Sequence, residues 1–153
     1  MTKQSGFTLA ETLMVVSITI MVSAITMFSF SAYGSTEAIS KDQAKVVSVL
    51  EKARALTLNS YNSSQYGVHF ASSTVTIFTG VTYSSSTPSN IVTTLNSKVQ
   101  ISGVALAGGG NDVIFNRLSG ETNQMGTTTL SLVSASTTMR TVTIYRSGLI
   151  QPN

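Results

Sequence analysis

The sequence predicts an α+β protein in which a long N-terminal helix packs on a small antiparallel β-sheet domain. Two changes of pattern along the chain predict this class. Residues 12–36 carry no charge and residues 37–58 repeat apolar positions at helical spacing, whereas after Asn59 the apolar residues alternate. With 153 residues, the chain has room for one modest domain beside such a helix.

Composition limits the classes of function. Charged residues make up only 10% of the chain, the formal net charge is +3, and there is no cysteine. A disulfide framework, a thiolate metal site and a catalytic cysteine are therefore excluded. The weak bulk charge indicates neither a nucleic-acid-binding face nor a face for acidic substrates.

The first apolar segment has the length of a membrane span. Its apolar-dominated part runs from Leu13 to Tyr33, and about 20 such residues cross a bilayer core as a helix. Four hydroxyl residues follow one stripe of that helix: Thr12, Thr19, Ser23 and Thr26. The stripe is compatible with two interpretations, close packing of one helix on another and hydroxyls bonded back to their own helix.

A secretory signal is the first alternative for this segment. Lys3 supplies a positive N-terminal region, and the small residues Ser29 and Ser31 offer a cleavage site. The apolar region is, however, longer than the roughly 7–15 residues of an ordinary signal. Glu11 also lies at its start, and an ordinary signal has no use for a glutamate there.

The stretch Gly6-Phe7-Thr8-Leu9-Ala10-Glu11 resembles the processing motif of type IV prepilins and type II secretion pseudopilins. The resemblance implies that residues 1–6 are a leader, that a membrane-embedded aspartyl peptidase cuts between Gly6 and Phe7, and that the new amine of Phe7 is methylated. It also implies that Glu11 pairs with the Phe7 amine of a neighbouring subunit. This pairing would relieve the cost of a carboxylate in lipid, whereas a Glu11 at headgroup level would need no partner.

Three further regions follow the leader. Residues 7–36 are predicted to be the transmembrane and assembly helix, and residues 37–58 its amphipathic continuation, with a weak point at Gly34-Ser35. An apolar stripe marks the continuation: Ile39, Val46, Leu50 and Ala53. The charged residues are expected off this stripe, and the basic ones on a solvated face: Lys41, Asp42, Lys45, Lys52 and Arg54.

Residues 59–153 are predicted to be an extracytoplasmic, β-rich globular domain. "YGVHFASSTVTIFTG" reads as a hairpin, and four further strands are predicted at "KVQISGVAL", "DVIFNRL", "TTTLSLV" and "MRTVTIYR". Loops are predicted at Gly108-Gly109-Gly110, at Ser119-Gly120, from Ser134 to Thr138, and around Pro88.

The resemblance extends more coarsely into this domain. Leu50, Ala53 and Arg54 are similar to the "LxxAR" pattern of H-type minor pseudopilins and FimT-like minor pilins. "RTVTIYRSGLI" is similar to the closing strand and turn of that group, and "VIFNRLSGET" to its penultimate "IxF…G" unit. The resemblance implies a type IV pilin-like fold and a structural filament subunit. Implied partners are a prepilin peptidase, other pilins, membrane lipid before assembly, and an inner-membrane assembly platform with its ATPase. The implied location is the inner membrane, in a single pass, and then a periplasmic or cell-surface filament.

The remaining residues do not favour an enzyme. His69, the one histidine, is expected to be an ordinary surface or edge residue, and the scattered acids form no pattern typical of metal or acid-pair sites. "GGGND" lacks the lysine of a phosphate-binding loop, and Asn111, Asp112 and Asn116 do not follow an EF-hand. The sequence therefore predicts neither catalysis nor a cofactor or metal.

Two alternative functions stay open beside the structural one. FimT-like minor pilins include DNA-binding members, and Arg117, Arg140 and Arg146 are the residues here that would contribute to such a site. Three scattered arginines supply few phosphate contacts, so nucleic acid is not favoured as a partner. A surface adhesin is the other alternative.

Overall fold

The computed structural model describes residues 6–153, without the side chains of residues 28–33. Helix α1 runs from Leu9 to Leu58 and is followed by a 3₁₀ turn at Tyr61–Ser63. The chain divides into two compact units, Met1–Ser35 and Thr36–Asn153. Lys3 in the expected leader lies outside the described residues, as do the side chains of Ser29 and Ser31, where the alternative of a secretory signal would be cleaved.

Eight strands follow the helix and form two four-stranded antiparallel sheets. The first sheet has the order β3-β2-β1-β5, with bounds Ile91–Thr94, Thr74–Thr79, Tyr66–Phe70 and Asp112–Ile114. The second sheet has the order β4-β6-β7-β8, with bounds Val99–Leu106, Gly126–Leu132, Met139–Ile144 and Ile150–Pro152. The predicted α+β class is therefore confirmed at the level of a helix with antiparallel sheets.

The helical part of the second unit buries the predicted apolar stripe. The side chains of Ile39, Val46, Leu50 and Ala53 are all fully buried. They share one core with the inner faces of both sheets, which contribute Val68, Phe70, Leu130 and Val142, among others. A helix with a wide apolar stripe is stable only when that stripe is covered, and here the two sheets cover the stripe of residues 36–58.

Asp42 departs from its expected position off the stripe. It is only 2% exposed, and its carboxylate accepts the backbone N–H of Asn96 at 2.6 Å. The Lys45 ammonium lies 2.8 Å from the same carboxylate and also donates to the carbonyl of Thr94. The loop between β3 and β4 covers this side of the helix, and that contact is invisible in the helical pattern.

The strand predictions hold in part. The hairpin of β1 and β2 and the four later strands are confirmed, but the expected single sheet is wrong, and β3 and β8 were not predicted. Ile91 and Val92 in β3 are exposed, so the segment lacks the alternation of a half-buried strand. Strand β8 has three residues, one of them Pro152, and it is defined only by its pairing with β7.

A loop covers the outer face of the first sheet. Phe78 points away from the helix yet is almost fully buried, because it packs against the bare Cα of Gly67 and against the edge of the Tyr83 ring. Tyr83 also stacks on the ring of His69, with centroids 3.8 Å apart. The loop after β2 therefore belongs to the folded structure, whereas the segment around Pro88 is exposed as expected.

Candidate assembly site at the start of the apolar helix

The described residues before α1, 6–8, are not helical. Gly6, Phe7 and Thr8 have no regular secondary structure, and Phe7 is 82% exposed. A Cβ placed on Gly6 would have no heavy atom within 4 Å, and Gly6 is not among the glycines with positive φ. Neither crowding nor backbone strain within the described residues therefore requires glycine at this position.

Thr8 caps the helix. Its hydroxyl oxygen accepts the N–H of Glu11 at 3.3 Å, and its carbonyl accepts the N–H of Thr12 at 3.2 Å. Thr8-Leu9-Ala10-Glu11 has the spacing of a capping box, in which a Ser or Thr precedes a Glu by three residues. This local signal was not predicted from the sequence, and it accounts for Thr8 rather than for the glutamate, because the cap uses only the backbone N–H of Glu11.

Capping does not use the carboxylate of Glu11. In residues 6–153 as described, no hydrogen bond or ion pair reaches that carboxylate, so only the Thr8 half of the capping box is formed. Its place in the first turn is favourable by about 0.3–1 kcal/mol through the helix dipole. A carboxylate at the centre of a bilayer costs roughly 2.5–3.5 kcal/mol on insertion scales, so the dipole alone does not offset transfer into lipid.

Phe7 and Glu11 lie on one surface. Together with Thr12, Val15 and Val16 they line a shallow, mainly apolar groove at the start of the helix. Within the helix, Glu11 and Val15 share a face because they are four residues apart, and the non-helical Phe7 completes the lining. The structure thus brings the predicted cleavage and assembly residues together.

The helix that follows is long and apolar enough to cross a membrane. From Leu9 to Met27 it spans 19 residues with a mean hydropathy of 1.9, and none of it is buried within the protein. At 1.5 Å per residue these residues measure about 28 Å, close to the roughly 30 Å of a hydrocarbon core. A signal sequence near an N-terminus meets the same criteria of length and composition.

The hydroxyl stripe is bonded back to its own helix. Each side chain donates to a carbonyl three or four residues earlier: Thr12 to Leu9, Thr19 to Val15, Ser23 to Thr19 and Thr26 to Ser23, at 2.7–2.9 Å. The donors are therefore occupied, while the oxygens can still accept. Packing between helices stays a prediction, and it would depend on the small size of these residues.

Arg54 is not on a solvated face. It is half-buried, its Nε donates to the carbonyl of Gly120 at 3.2 Å, and its Nη2 donates to the carbonyl of Ser147 at 3.3 Å. Gly148, at φ 77°, approaches the Gly120 carbonyl so closely that any Cβ would overlap it. The "LxxAR" and glycine-turn patterns are thus parts of one junction between the helix end and two turns.

The three candidate DNA-contacting arginines do not form one patch. Arg140 lies near the start of β7 and Arg146 just beyond its end, which separates them by about 20 Å at 3.3 Å per residue. Arg117 lies in the turn before Gly120, at the same end of the unit as Arg146, since the N–H of Thr122 donates to the Arg146 carbonyl. The structure brings two of the three towards one end of the sheets.

His69 belongs to a polar pair on the first sheet. Its strand lies between β2 and β5, so of the two expected positions, surface or edge, the edge does not apply, and the side chain is partly exposed on the outer face of the sheet. Its Nδ1 is 2.6 Å from Oδ1 of Asp112. This contact occupies one carboxylate oxygen of Asp112, a residue that the sequence analysis compared with the calcium ligands of an EF-hand. Among the described residues, no group of three or more His, Cys, Asp or Glu side chains is arranged to hold a metal ion.

Comparisons with protein-family models, with curated proteins and with solved structures give no significant match to this chain.

Proposed function

We propose that this chain is a minor pilin or pseudopilin, a structural subunit of a type II secretion or type IV pilus filament. The observation that carries the proposal is the start of the apolar helix. There Gly6-Phe7 stands outside the helix and Glu11 stands in its first turn, with no partner for its carboxylate among the described residues. The proposal rests on this constellation together with the motif that the six residues resemble.

Processing between Gly6 and Phe7 is the first proposed step. A peptidase binds its substrate as an extended chain, and the Gly6-Phe7 bond precedes the helix, so no turn needs to unwind. Nothing within the described structure requires glycine at position 6. A peptidase cleft that excludes side chains at this position would explain why the residue is glycine.

Assembly through Glu11 is the second step. Cleavage creates an amine on Phe7, which stays cationic after N-methylation, and the Glu11 carboxylate of a neighbouring subunit is its proposed counter-charge. Such a pair is worth more in an apolar bundle of helices than in water, because the surrounding dielectric constant is low. Unpaired Glu11 is costly in lipid, so the pairing favours transfer of the helix into the filament.

The second unit is the part that the filament would display. In the proposal, residues 7–36 form the membrane and assembly helix, and the β-rich part lies outside the cytoplasm with a type IV pilin-like fold of the H-type. The junction of Arg54 with the Gly120 and Gly148 turns supports the H-type assignment. The "LxxAR" pattern and the glycine turn, on which that assignment rests, meet in this one junction.

Intact mass and N-terminal sequencing of the chain, coexpressed with a prepilin peptidase, test the proposal. Removal of six residues from 153 leaves 147, and we expect the product to begin with N-methylated Phe7. Gly6→Leu should block cleavage, whereas Glu11→Gln should be cleaved normally and fail to enter filaments. A mature chain that begins near Tyr33 would contradict the proposal and identify a secreted domain.

A further inference from the structure

The outer face of the second sheet carries a regular array of threonines. Leu130 and Val142 point into the core, so the alternating residues of β6 and β7 point to the opposite face. The members of this threonine face are Thr127, Thr129, Thr141 and Thr143, all partly exposed. None of them takes part in the contacts of the proposed assembly site.

The strand register places these four residues in a two-by-two grid. Thr127 is opposite Thr143, and Thr129 is opposite Thr141. Neighbouring strands lie about 4.8 Å apart, and residues two apart along a strand are separated by about 6.7 Å. The hydroxyls of Thr127, Thr129 and Thr141 form no hydrogen bond with any residue in the described part of the chain, so they are available to a ligand.

Amide and phenol groups border the grid. Gln151 is opposite Thr143, and the Asn153 amide donates to the Thr143 hydroxyl at 2.9 Å. Tyr145 follows on the same side of β7, is 43% exposed, and donates its hydroxyl to Oε1 of Gln151 at 3.1 Å. That hydrogen bond places an aromatic ring beside the hydroxyl array.

The chemistry of the face selects among classes of partner. No strand residue that the register places on it is charged, so it offers no counter-charge to phosphate groups. An apolar protein surface would leave buried hydroxyls unsatisfied, at about 1–3 kcal/mol for each group. A neutral sugar polymer supplies hydroxyl donors and acceptors to the grid, and C–H groups to the face of the Tyr145 ring.

We infer that the threonine face binds a neutral oligosaccharide or polysaccharide, with the grid and Gln151 hydrogen-bonding its hydroxyls and Tyr145 stacking on a sugar ring. The inference goes beyond the proposed filament role and uses only residues of the second unit. It can therefore be tested separately from cleavage at Gly6 and from pairing at Glu11.

An array of immobilised glycans tests the inference with the full chain. The array carries neutral glucans, mannans, galactans and N-acetylglucosamine polymers, beside sulfated and uronic-acid polymers. The chain is held in a polyoxyethylene detergent, because a detergent with a sugar headgroup would compete. We expect retention on at least one neutral class, with little dependence on salt between about 0.05 and 0.5 M, since no ion pairs are involved.

Variants locate the site. Thr129→Lys combined with Thr141→Lys should lower retention at least tenfold, whereas Thr82→Lys, with the same chemistry in an exposed loop, should leave it unchanged. Thr141→Val removes one hydroxyl with little change of shape, and Tyr145→Ala removes the ring that Tyr145→Phe keeps. We expect a loss for Thr141→Val and Tyr145→Ala, and a smaller loss for Tyr145→Phe.

Three results would overturn the inference. These are no retention on any neutral glycan, retention only on charged polymers, and retention that the threonine variants leave unchanged although circular dichroism shows them folded. If the lysine variant misfolds, Thr141→Val still tests the inference, because this isosteric change leaves the core intact. Normal cleavage and methylation without glycan binding would refute this inference and leave the proposed function standing.

Discussion

The apolar helix of residues 9–27 and the β-rich unit of residues 36–153 place their large apolar side chains in opposite environments. In the first region, none of the membrane-length segment is buried within the protein. In the second, Phe70, Leu50 and Phe115 are essentially inaccessible. The second region obtains its stability from its own core, and the first needs a surrounding, lipid or other helices, that the single chain does not supply.

Two phenylalanines make this difference measurable. Phe70 is 1% exposed and Phe7 is 82% exposed. Phe70→Ala should lower the free energy of unfolding of the second unit by about 3–5 kcal/mol, whereas Phe7→Ala should change it by less than about 0.5 kcal/mol. Thermal unfolding in detergent, followed by far-ultraviolet circular dichroism, checks both. Equal losses would refute the contrast between the two regions.

Gly148 tests the junction at the end of the helix. Gly148→Ala places a Cβ against the Gly120 carbonyl, and we expect a loss of about 2–4 kcal/mol from overpacking added to the strain of positive φ. Gly108 has a similar φ of 87° with open space around it. Gly108→Ala is therefore the matched control, expected to cost about 1 kcal/mol. A similar cost at both positions would show that the Gly148 contact has no energetic weight.

Asp42 tests the buried polar contact of the helix. Asp42→Ala leaves the Asn96 N–H without its acceptor and removes the carboxylate paired with Lys45, which keeps only the Thr94 carbonyl. This should cost about 1.5–3 kcal/mol. The matched control is Glu37→Ala, which removes an exposed pair with Lys41 at 2.8 Å and should cost under about 0.5 kcal/mol. Urea unfolding of both variants measures the difference, and a larger loss for Glu37→Ala would contradict it.

Thr8 gives a smaller and local effect in the first region. Thr8→Ala removes the side-chain acceptor of the Glu11 N–H and leaves only the Thr8 carbonyl at 3.1 Å. We expect the first turn to weaken by about 0.5–2 kcal/mol while the second unit keeps its stability. Amide hydrogen exchange at residues 10–12 should be faster in Thr8→Ala and unchanged in Thr8→Ser. Unchanged exchange in Thr8→Ala would show that the cap is dispensable.

The smallest expected effect concerns nucleic acid. Arg140 and Arg146 lie at opposite ends of β7. We therefore expect weak binding of duplex DNA at about 0.15 M salt, and the combination of Arg140→Ala with Arg146→Ala should leave it unchanged. A mobility-shift assay checks this. Tight binding that the double variant abolishes would favour the DNA-uptake alternative over the proposed role.

Features that depend on neighbouring residues were predicted correctly from the sequence, whereas contacts between distant residues were not. The stripe of Ile39, Val46 and Leu50 was correct because helical periodicity is set within a few residues. The burial of Asp42 was missed because it depends on Asn96, 54 residues later. Strands β3 and β8 were missed for the same reason, since only their pairing partners define them.

The candidate site was predicted from a motif, and the structure adds its surroundings. Gly6, Phe7 and Glu11 come from six consecutive residues, so no distant contact was needed to find them. The Thr8 cap was equally local and was overlooked. Arg54 was misassigned to a solvated face because its acceptors, the carbonyls of Gly120 and Ser147, lie 66 and 93 residues away along the chain.

These long separations bear on the order in which the molecule folds. Gln43 donates to the carbonyls of Thr141 and Asn153, residues 98 and 110 positions away. The helix is synthesised first, but its polar contacts are completed only when the last strands have been made. Contacts of such high sequence separation slow folding. The apolar stripe of residues 39–53 is therefore fully covered only when the last strands, which supply Val142, Ile144 and Ile150 to the same core, have been made.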